Sequence, residues 1–264
     1  MIAPAIRERP SPNHDRRSEP ARIDMLVLHY TGMQSAEAAL DRLCDRRARV
    51  SAHYVIDESG VIWRLVPEAQ RAFHAGLSCW QGERDLNFVS IGVEIVNPGH
   101  EWGYRPFPQA QMSALESLCA EILLRHPIPP SRIVGHSDIA PDRKTDPGEL
   151  FDWPRLARAG IGLWPEPRQP KPKAASDRLQ VAAQLAAIGY CTAPASEVLA
   201  LAAFQRRFRP ARIDGVVDSE TAARITEVRE AYEHSRAAWR LAPGAGAPAS
   251  VIGKRALQRR SIQP

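Results

Sequence analysis

Short apolar runs alternate with helix-like segments over the first half of the chain, and this order constrains the fold more than any other feature. Residues 25–28, 53–57 and 90–96 have the length and composition of strands. Residues 35–45 and 108–126 carry apolar side chains at helical spacing. Because the two kinds of segment intermix, we predict an α/β fold with a mixed central sheet flanked by helices.

A proline-rich stretch at 164–175 interrupts this pattern and is typical of a semi-rigid linker. Three helix-like segments follow, which predict that a small three-helix domain follows the α/β domain. The predicted parts are a flexible N-terminal arm (1–21), the α/β domain (22–163), the linker (164–175), the three-helix domain (176–235) and a basic disordered tail (236–264).

The termini and the cysteines bear on the compartment. Residues 2–24 hold charges and prolines and lack the apolar core of an export signal, so we expect a cytoplasmic protein. A start codon placed too late would make the periplasm or the outer membrane the alternative. The four cysteines (Cys44, Cys79, Cys119 and Cys191) form no CxxC pair, and we expect them to be reduced and mostly buried.

The net charge of +5 does not by itself indicate an anionic partner, because the excess lies largely at the chain ends. No acidic residue follows Glu233, as in many solvated tails. No nucleic-acid recognition motif is found, so we predict no nucleic-acid partner. No apolar run reaches the roughly 18 residues that span a bilayer, and we predict no membrane span.

Two polar residues stand out in or beside the apolar strands. His29 directly follows the first run, although a histidine there is, taken alone, more often structural. Glu94 interrupts the run at 91–96, and a carboxylate in an apolar strand costs energy unless it is paired or faces a site. An edge strand with one wet face explains Glu94 equally well.

The loop at 135–148 concentrates polar residues between prolines and glycines. It contains His136, Asp138, Asp142, Lys144 and Asp146. Two histidines and one aspartate would form a three-ligand zinc site whose fourth position stays open to water, as catalytic sites require. A solvated loop is the alternative, and spacing alone does not decide between them.

A resemblance to a known family decides this point. The matching segments are Leu-His-Tyr-Thr at 28–31, Ser-Ala-His-Tyr at 51–54, Phe-His-Ala-Gly at 73–76, Ser-Ile-Gly-Val-Glu at 90–94, Gly-His-Ser-Asp-Ile-Ala-Pro at 135–141, and Arg-Lys-Thr-Asp-Pro-Gly at 143–148 with Phe-Asp-Trp at 151–153. In this order they resemble the zinc amidases of the phage-lysozyme and peptidoglycan-recognition-protein superfamily. The resemblance implies zinc (Zn²⁺) ligands at His29, His136 and Asp146, a catalytic acid/base at Glu94 and an oxyanion-stabilising Lys144.

The resemblance also implies the reaction. We expect hydrolysis of the amide between the lactyl group of N-acetylmuramic or anhydro-N-acetylmuramic acid and L-alanine, by zinc-activated water, with a role in peptidoglycan recycling. The alternatives are an amidase that remodels intact peptidoglycan, another zinc hydrolase that cuts within the stem peptide, and a non-catalytic muropeptide-binding protein.

Further residues are expected to bind substrate or to support the site. His74, Trp80 and Asn97 are predicted to line the substrate groove, although simple packing is an alternative for Trp80. His53 is predicted to be structural, and Asp138 to brace its loop. The C-terminal helices resemble a three-helix peptidoglycan-binding module, so peptidoglycan fragments (muropeptides) or peptidoglycan are the expected partners.

Overall fold

A mixed sheet forms the centre of the molecule. The computed structural model describes residues 6–18, 22–166, 178–192 and 196–241. The strands are β1 (Ile6–Glu8), β2 (His14–Arg16), β3 (Met25–Tyr30), β4 (Tyr54–Ile56), β5 (Ile62–Arg64), β6 (Gln70–Ala72), β7 (Cys79–Trp80), β8 (Glu83–Arg84), β9 (Ser90–Ile95) and β10 (Ile133–Gly135). The helices are α1 (Ala36–Cys44), α2 (Gly99–Trp102), α3 (Gln109–Arg125), α4 (His136–Ile139), α5 (Trp153–Arg158), α6 (Arg178–Ile188), α7 (Glu197–Phe208) and α8 (Ser219–Leu241).

Six strands of the described part make the central sheet, in the order β1-β5-β4-β9-β3-β10. The strands β4, β9, β3 and β10 run parallel to one another, whereas β4 and β5 form an antiparallel hairpin. The longest strands, β3 and β9, lie beside each other at the centre, as expected for nearly continuous apolar runs. The predicted α/β fold with a mixed sheet is therefore confirmed.

Side chains alternate across this sheet and supply both of its cores. Leu26 and Leu28 of β3 pack with α3 and α5 on one face. Met25 and Val27 point to the other face, where they pack with α6, α7 and α8. By this alternation His29 also points to the second face. The helical module (described residues 178–192 and 196–241) therefore packs on the face of the sheet to which His29 points.

The three C-terminal helices lie where the sequence predicts them, but α8 is longer than expected. It continues to Leu241, and the Arg236 guanidinium donates hydrogen bonds to the Ala187 and Ile188 carbonyls at 2.5 and 3.3 Å. The prediction of a disordered tail is thus wrong for residues 236–241. The rest of that tail, 242–264, lies outside the described residues, as do positions 167–175 of the predicted linker. Trp164, at the linker's start, stacks on Phe208 with ring centroids 5.6 Å apart.

The prediction of a flexible N-terminal arm is wrong for residues 6–18. β1 adds to the edge strand β5, and β2 pairs with β6, because these strands offer backbone groups that would otherwise lack partners. Arg17 is buried, and its guanidinium donates to four backbone carbonyls, those of Glu68, Asn87, Phe88 and Ser90, at 2.8 to 3.0 Å. These bonds fix the segment against the α/β domain.

The expectation of four reduced cysteines is also wrong. Cys79 and Cys191 form a disulfide with their Cα atoms 5.9 Å apart, while Cys44 and Cys119 are free thiols. The pairing arises because the turn after α6 docks beside β7, where the Gln81 amide donates to the Gly189 carbonyl at 2.7 Å. The disulfide therefore ties the helical module to the α/β domain. Within the described residues, no helix is both long and apolar enough to cross a membrane.

Candidate metal centre and active site

Three ligand-type side chains converge at the carboxyl end of β3. His29 comes from β3, His136 is the first residue of α4, and Asp146 follows in the same loop; all three are buried. The Nδ1 atoms of His29 and His136 lie 2.9 Å apart, and each lies 3.1 Å from Oδ2 of Asp146. The sequence-predicted ligand set thus comes together as one cluster within reach of a single ion.

The loop that carries His136 and Asp146 is folded by its own hydrogen bonds. The Ser137 amide donates to the Asp146 carbonyl at 2.8 Å, which holds the two ligand-bearing stretches side by side. The Gly135 amide donates to Oδ2 of Asp138 at 2.9 Å, so that this carboxylate caps the turn before α4. Asp138 therefore braces the loop, as predicted.

The outward nitrogens of both histidines have acceptors, which orients the rings. His29 Nε2 lies 3.1 Å from His74 Nδ1, and His74 Nε2 lies 3.2 Å from the Ser90 hydroxyl oxygen. The Ser90 hydroxyl donates to the Leu86 carbonyl at 2.6 Å, so it must accept from His74. If Nε2 of His74 donates to Ser90, Nδ1 of the neutral His74 ring accepts from the Nε2–H of His29. Nδ1 of His29 then carries no proton, and its lone pair is available to a metal.

His136 is arranged in the same way. Its Nε2 lies 3.2 Å from the Ala75 carbonyl, an acceptor only, so Nε2 carries the proton and Nδ1 is free to coordinate. Metal-binding histidines usually donate a hydrogen bond from the N–H of their second ring nitrogen to such a fixed acceptor. The two rings are therefore held as ligands are held in metalloproteins.

The charge states of the cluster also suit a cation. Burial, and then the neighbouring His136, lower the pKa of His29 to about 4, so its ring is neutral at neutral pH. Burial alone would raise the pKa of Asp146, but His136 and His29 lower it well below its usual range. A neutral imidazole, as in His29, and an ionised carboxylate, as in Asp146, are forms that bind metals. The three residues fit a divalent metal with nitrogen and oxygen ligands, as zinc prefers.

Glu94 lies beside this cluster because β3 and β9 are in parallel register. His29 is the direct register partner of Glu94, so both side chains point to the same face. The Oε2 atom of Glu94 is buried and has no hydrogen-bond partner among the described residues. Burial, followed by the proximity of Asp146, raises the pKa of Glu94 well above its usual value, and Lys144 opposes this shift.

A cavity of about 340 Å³ opens onto these groups. Glu94, His136, Lys144 and Asp146 all line it, together with residues of α1. The structure thus brings three ligand-type side chains, a buried carboxylate and a lysine to one cleft of the size that takes small ligands.

The structure contradicts two of the three predicted groove residues. Trp80 is fully buried, donates its indole N–H to the Ser131 carbonyl at 3.2 Å and packs on aromatic rings of the helical module. Asn97 is also buried, and its side chain bonds the Arg105 carbonyl at 2.7 Å and the Gly99 amide at 3.1 Å. Both residues shape the scaffold because neighbouring segments cover them.

His74, the third predicted groove residue, touches the cavity but is mostly buried behind His29. Its ring lies against Gly92, where a Cβ atom would overlap it. Its two nitrogens are used by His29 and Ser90. The Phe-His-Ala-Gly segment indicated that His74 is functional, but it did not show that His74 contacts His29. Ser90, the next residue in this series of hydrogen bonds, begins the matched Ser-Ile-Gly-Val-Glu segment, but its role was missed because its contact with His74 arises only in the fold.

We expect His74→Ala to weaken zinc binding about 10- to 100-fold, because it removes the acceptor that fixes His29. Chelator-competition titration measures the Kd for zinc. Ser90→Ala, which leaves that acceptor in place, should show a smaller loss. A higher KM with an unchanged zinc Kd would instead support the predicted role of His74 in binding substrate.

Comparison with known proteins identifies the family of this chain. The family model described as N-acetylmuramoyl-L-alanine amidase matches residues 19–149. The N-acetylmuramoyl-L-alanine amidase AmiD of Escherichia coli is 37% identical over 234 residues, which cover 80% of this chain and 84% of that protein. The 1,6-anhydro-N-acetylmuramyl-L-alanine amidase AmpD of Haemophilus influenzae is 36% identical over 163 residues, covering 55% of this chain and 86% of that protein.

Two solved structures extend the likeness to the helical module. A complex of AmiD from E. coli with the substrate anhydro-N-acetylmuramic acid-L-Ala-D-gamma-Glu-L-Lys has a TM-score of 0.72 at 36% identity, covering 81% of this chain and 92% of that one. AmpDh3 from Pseudomonas aeruginosa in complex with anhydromuramic pentapeptide has a TM-score of 0.72 at 34% identity, covering 82% and 96%. The resemblance inferred from the sequence is thereby confirmed, and the chain belongs to the N-acetylmuramoyl-L-alanine amidase family.

Proposed function

We propose that this amidase holds one zinc ion between His29, His136 and Asp146 and uses Glu94 and Lys144 for chemistry. The observation that carries the proposal is the cluster of three ligand atoms 2.9 to 3.1 Å apart beside an unpartnered carboxylate. A purely structural zinc site would be closed by a fourth protein ligand, whereas this cluster has three ligands among the described residues and faces a cavity.

The chain cleaves the amide between the lactyl group of muramic acid and L-alanine of the stem peptide. Zinc, when bound, supplies a Lewis acid that polarises a carbonyl and lowers the pKa of water. Glu94 accepts the proton of the attacking water and returns it to the departing alanine nitrogen, a role that a raised pKa favours. Lys144 faces the same cavity and stabilises the negative charge that develops on the carbonyl oxygen.

The preferred substrates are proposed to be soluble anhydromuramyl peptides, released during wall turnover and recycled. Two similar solved proteins carry such ligands, an anhydromuramyl tripeptide and an anhydromuramic pentapeptide. The cavity of about 340 Å³ lies within the size range of pockets that take small ligands. An amidase that acts on intact peptidoglycan is the second candidate.

The Cys79–Cys191 disulfide favours an oxidising compartment over the predicted cytoplasm, because disulfides persist mainly outside the cytosol. We therefore propose the periplasm or the outer membrane, the alternative considered from the sequence. Thiol labelling of the protein in separated cell fractions tests this, and a reduced pair in the cytosolic fraction would contradict it.

The activity is tested by mass spectrometry of the products after incubation of the zinc-loaded protein with anhydromuramyl-tripeptide and, separately, with purified sacculi. We expect free tripeptide with an intact alanine amine from the soluble substrate, at a higher rate than stems from sacculi. Faster release from sacculi would support wall remodelling. Cleavage within the stem would identify a peptidase, and no release from either would support a binding protein.

A further inference from the structure

The helical module reaches the loop of the metal centre through the carboxylate of Asp138. The hydroxyl of Tyr190, which follows α6, donates to Oδ1 of Asp138 at 2.6 Å. The guanidinium of Arg207, in α7, donates to Oδ2 at 2.6 Å. Asp138 and Arg207 are both buried, with side chains 1% and 2% exposed. We call these three residues the Asp138 clamp.

Arg207 is fixed on several sides, so it presents its charge to Asp138 in one geometry. Its guanidinium lies over the ring of Trp153, 3.8 Å from the centroid, and also donates to the Ile133 carbonyl at 3.2 Å. Trp153 and Ile133 belong to the α/β domain. A guanidinium held between an aromatic ring and a carboxylate retains its charge and its direction.

A buried ion pair of this kind is not explained well by stability alone. The desolvation of two charges offsets most of their attraction, and apolar side chains of similar volume often stabilise a core as well or better. Buried pairs contribute more clearly to fixing one arrangement among several. The question is therefore which arrangement the Asp138 clamp fixes.

The clamp acts on the turn from which His136 projects. Oδ2 of Asp138, the atom bound by Arg207, also accepts the hydrogen bond from the Gly135 amide. Gly135 directly precedes His136, and Asp138 lies two residues after it within α4. The residue before His136 is thus hydrogen-bonded to the carboxylate of the residue two positions after it. Tyr190 and Arg207 of the helical module orient that carboxylate.

We infer that Arg207 and Tyr190 are positioning residues of the metal centre, acting through Asp138 on His136. This inference rests on the proposed function, in which His136 is a zinc ligand. It gives the helical module a part in catalysis that is separate from any binding of peptidoglycan. Through Asp138, the module sets the orientation of the His136 side chain.

The test uses the full chain with the variants Arg207→Gln and Tyr190→Phe; the second removes one hydroxyl and should fold even if the first does not. Arg224→Gln is the matched control. Arg224 is a buried arginine of α8 that lies over Trp164 and bonds the Phe208 carbonyl and Glu227, so its loss weakens the module without touching Asp138.

Three readouts separate positioning from general destabilisation: the zinc Kd by chelator competition, the visible spectrum of the cobalt-substituted protein, and kcat and KM for anhydromuramyl-tripeptide. We expect Arg207→Gln to raise the zinc Kd about tenfold, shift the cobalt spectrum and lower kcat with KM unchanged. Tyr190→Phe should show the same changes with smaller size. Arg224→Gln should lower Tm and leave all three unchanged.

Two results would overturn the inference: unaltered zinc Kd, spectrum and kcat in both folded clamp variants, or equal losses in Arg224→Gln. Either would make the clamp an ordinary tie between the module and the α/β domain. Failure of the unsubstituted protein to bind zinc or to release tripeptide is a different result, because it refutes the proposed function first and the inference with it.

Discussion

Glu94→Gln is expected to lose about 10²- to 10⁴-fold in kcat while it binds zinc as tightly as the unsubstituted protein. Glutamine keeps the shape of the side chain but cannot accept the proton of water or pass it to the leaving amine. Because Glu94 is not among the three clustered ligand residues, the metal should remain. Steady-state kinetics on anhydromuramyl-tripeptide and zinc analysis of the same sample measure both quantities.

The same variant should be no less stable than the parent. Oε2 of Glu94 is buried without a hydrogen-bond partner among the described residues, and its burial near Asp146 disfavours the charged form. An amide removes that charge, so we expect an equal or higher Tm. Glu121→Gln, which breaks only a surface pair with Arg125 at 3.5 Å, is the matched carboxylate control and should keep full activity. Unchanged kcat in zinc-loaded Glu94→Gln would remove Glu94 from the mechanism.

The sequence predicts well those parts of the fold that depend on a local pattern, such as an apolar run or a helix cap. β3 and β9 are apolar runs long enough to be central strands, and their parallel pairing then places His29 beside Glu94. α1 begins where Ser35 accepts a hydrogen bond from the Ala38 amide, as its capping residue type predicts. Local patterns of this kind survive because packing reinforces them.

Most of the failed predictions concern segments whose environment comes from far along the chain. Trp80 lies in β7, between two of the matched segments, yet Tyr190 and Tyr232 of the helical module cover it. Cys79 pairs with Cys191 across 112 residues, which no spacing rule predicts. For both Trp80 and Cys79, docking of the helical module determines the surroundings of the side chain. Nothing in the sequence around these two residues predicts that docking.

The candidate site divides in the same way. The resemblance supplied the residues that we propose to contact a metal or substrate, because those recur at fixed places in short motifs. It did not supply the contacts that hold them, such as that of Ser90 with His74 or that of Arg207 with Asp138. Such partners need only to reach one atom in space, so many positions in the sequence serve equally well.

His136→Ala is expected to lose both the metal and the activity, which distinguishes a ligand from the proton-transferring Glu94. Removing His136 leaves His29 and Asp146 as a two-residue site, and two ligands hold zinc far more weakly than three. Loss of only the hydrogen-bond partner of a metal ligand costs about 10- to 100-fold in metal affinity. Loss of the ligand His136 should therefore raise the zinc Kd by more than about 100-fold.

The control for this variant is His234→Ala, since His234 is an exposed histidine of α8 whose ring bonds only its own helix, at the Glu230 carbonyl. After dialysis against submicromolar zinc, we expect about one zinc per chain in His234→Ala and almost none in His136→Ala, with circular dichroism showing both folded. A zinc-replete His136→Ala protein would mean that the ligand set is wrong. A zinc-free but active one would mean that hydrolysis does not depend on zinc, and either result would require a different account of how Glu94 and Lys144 act.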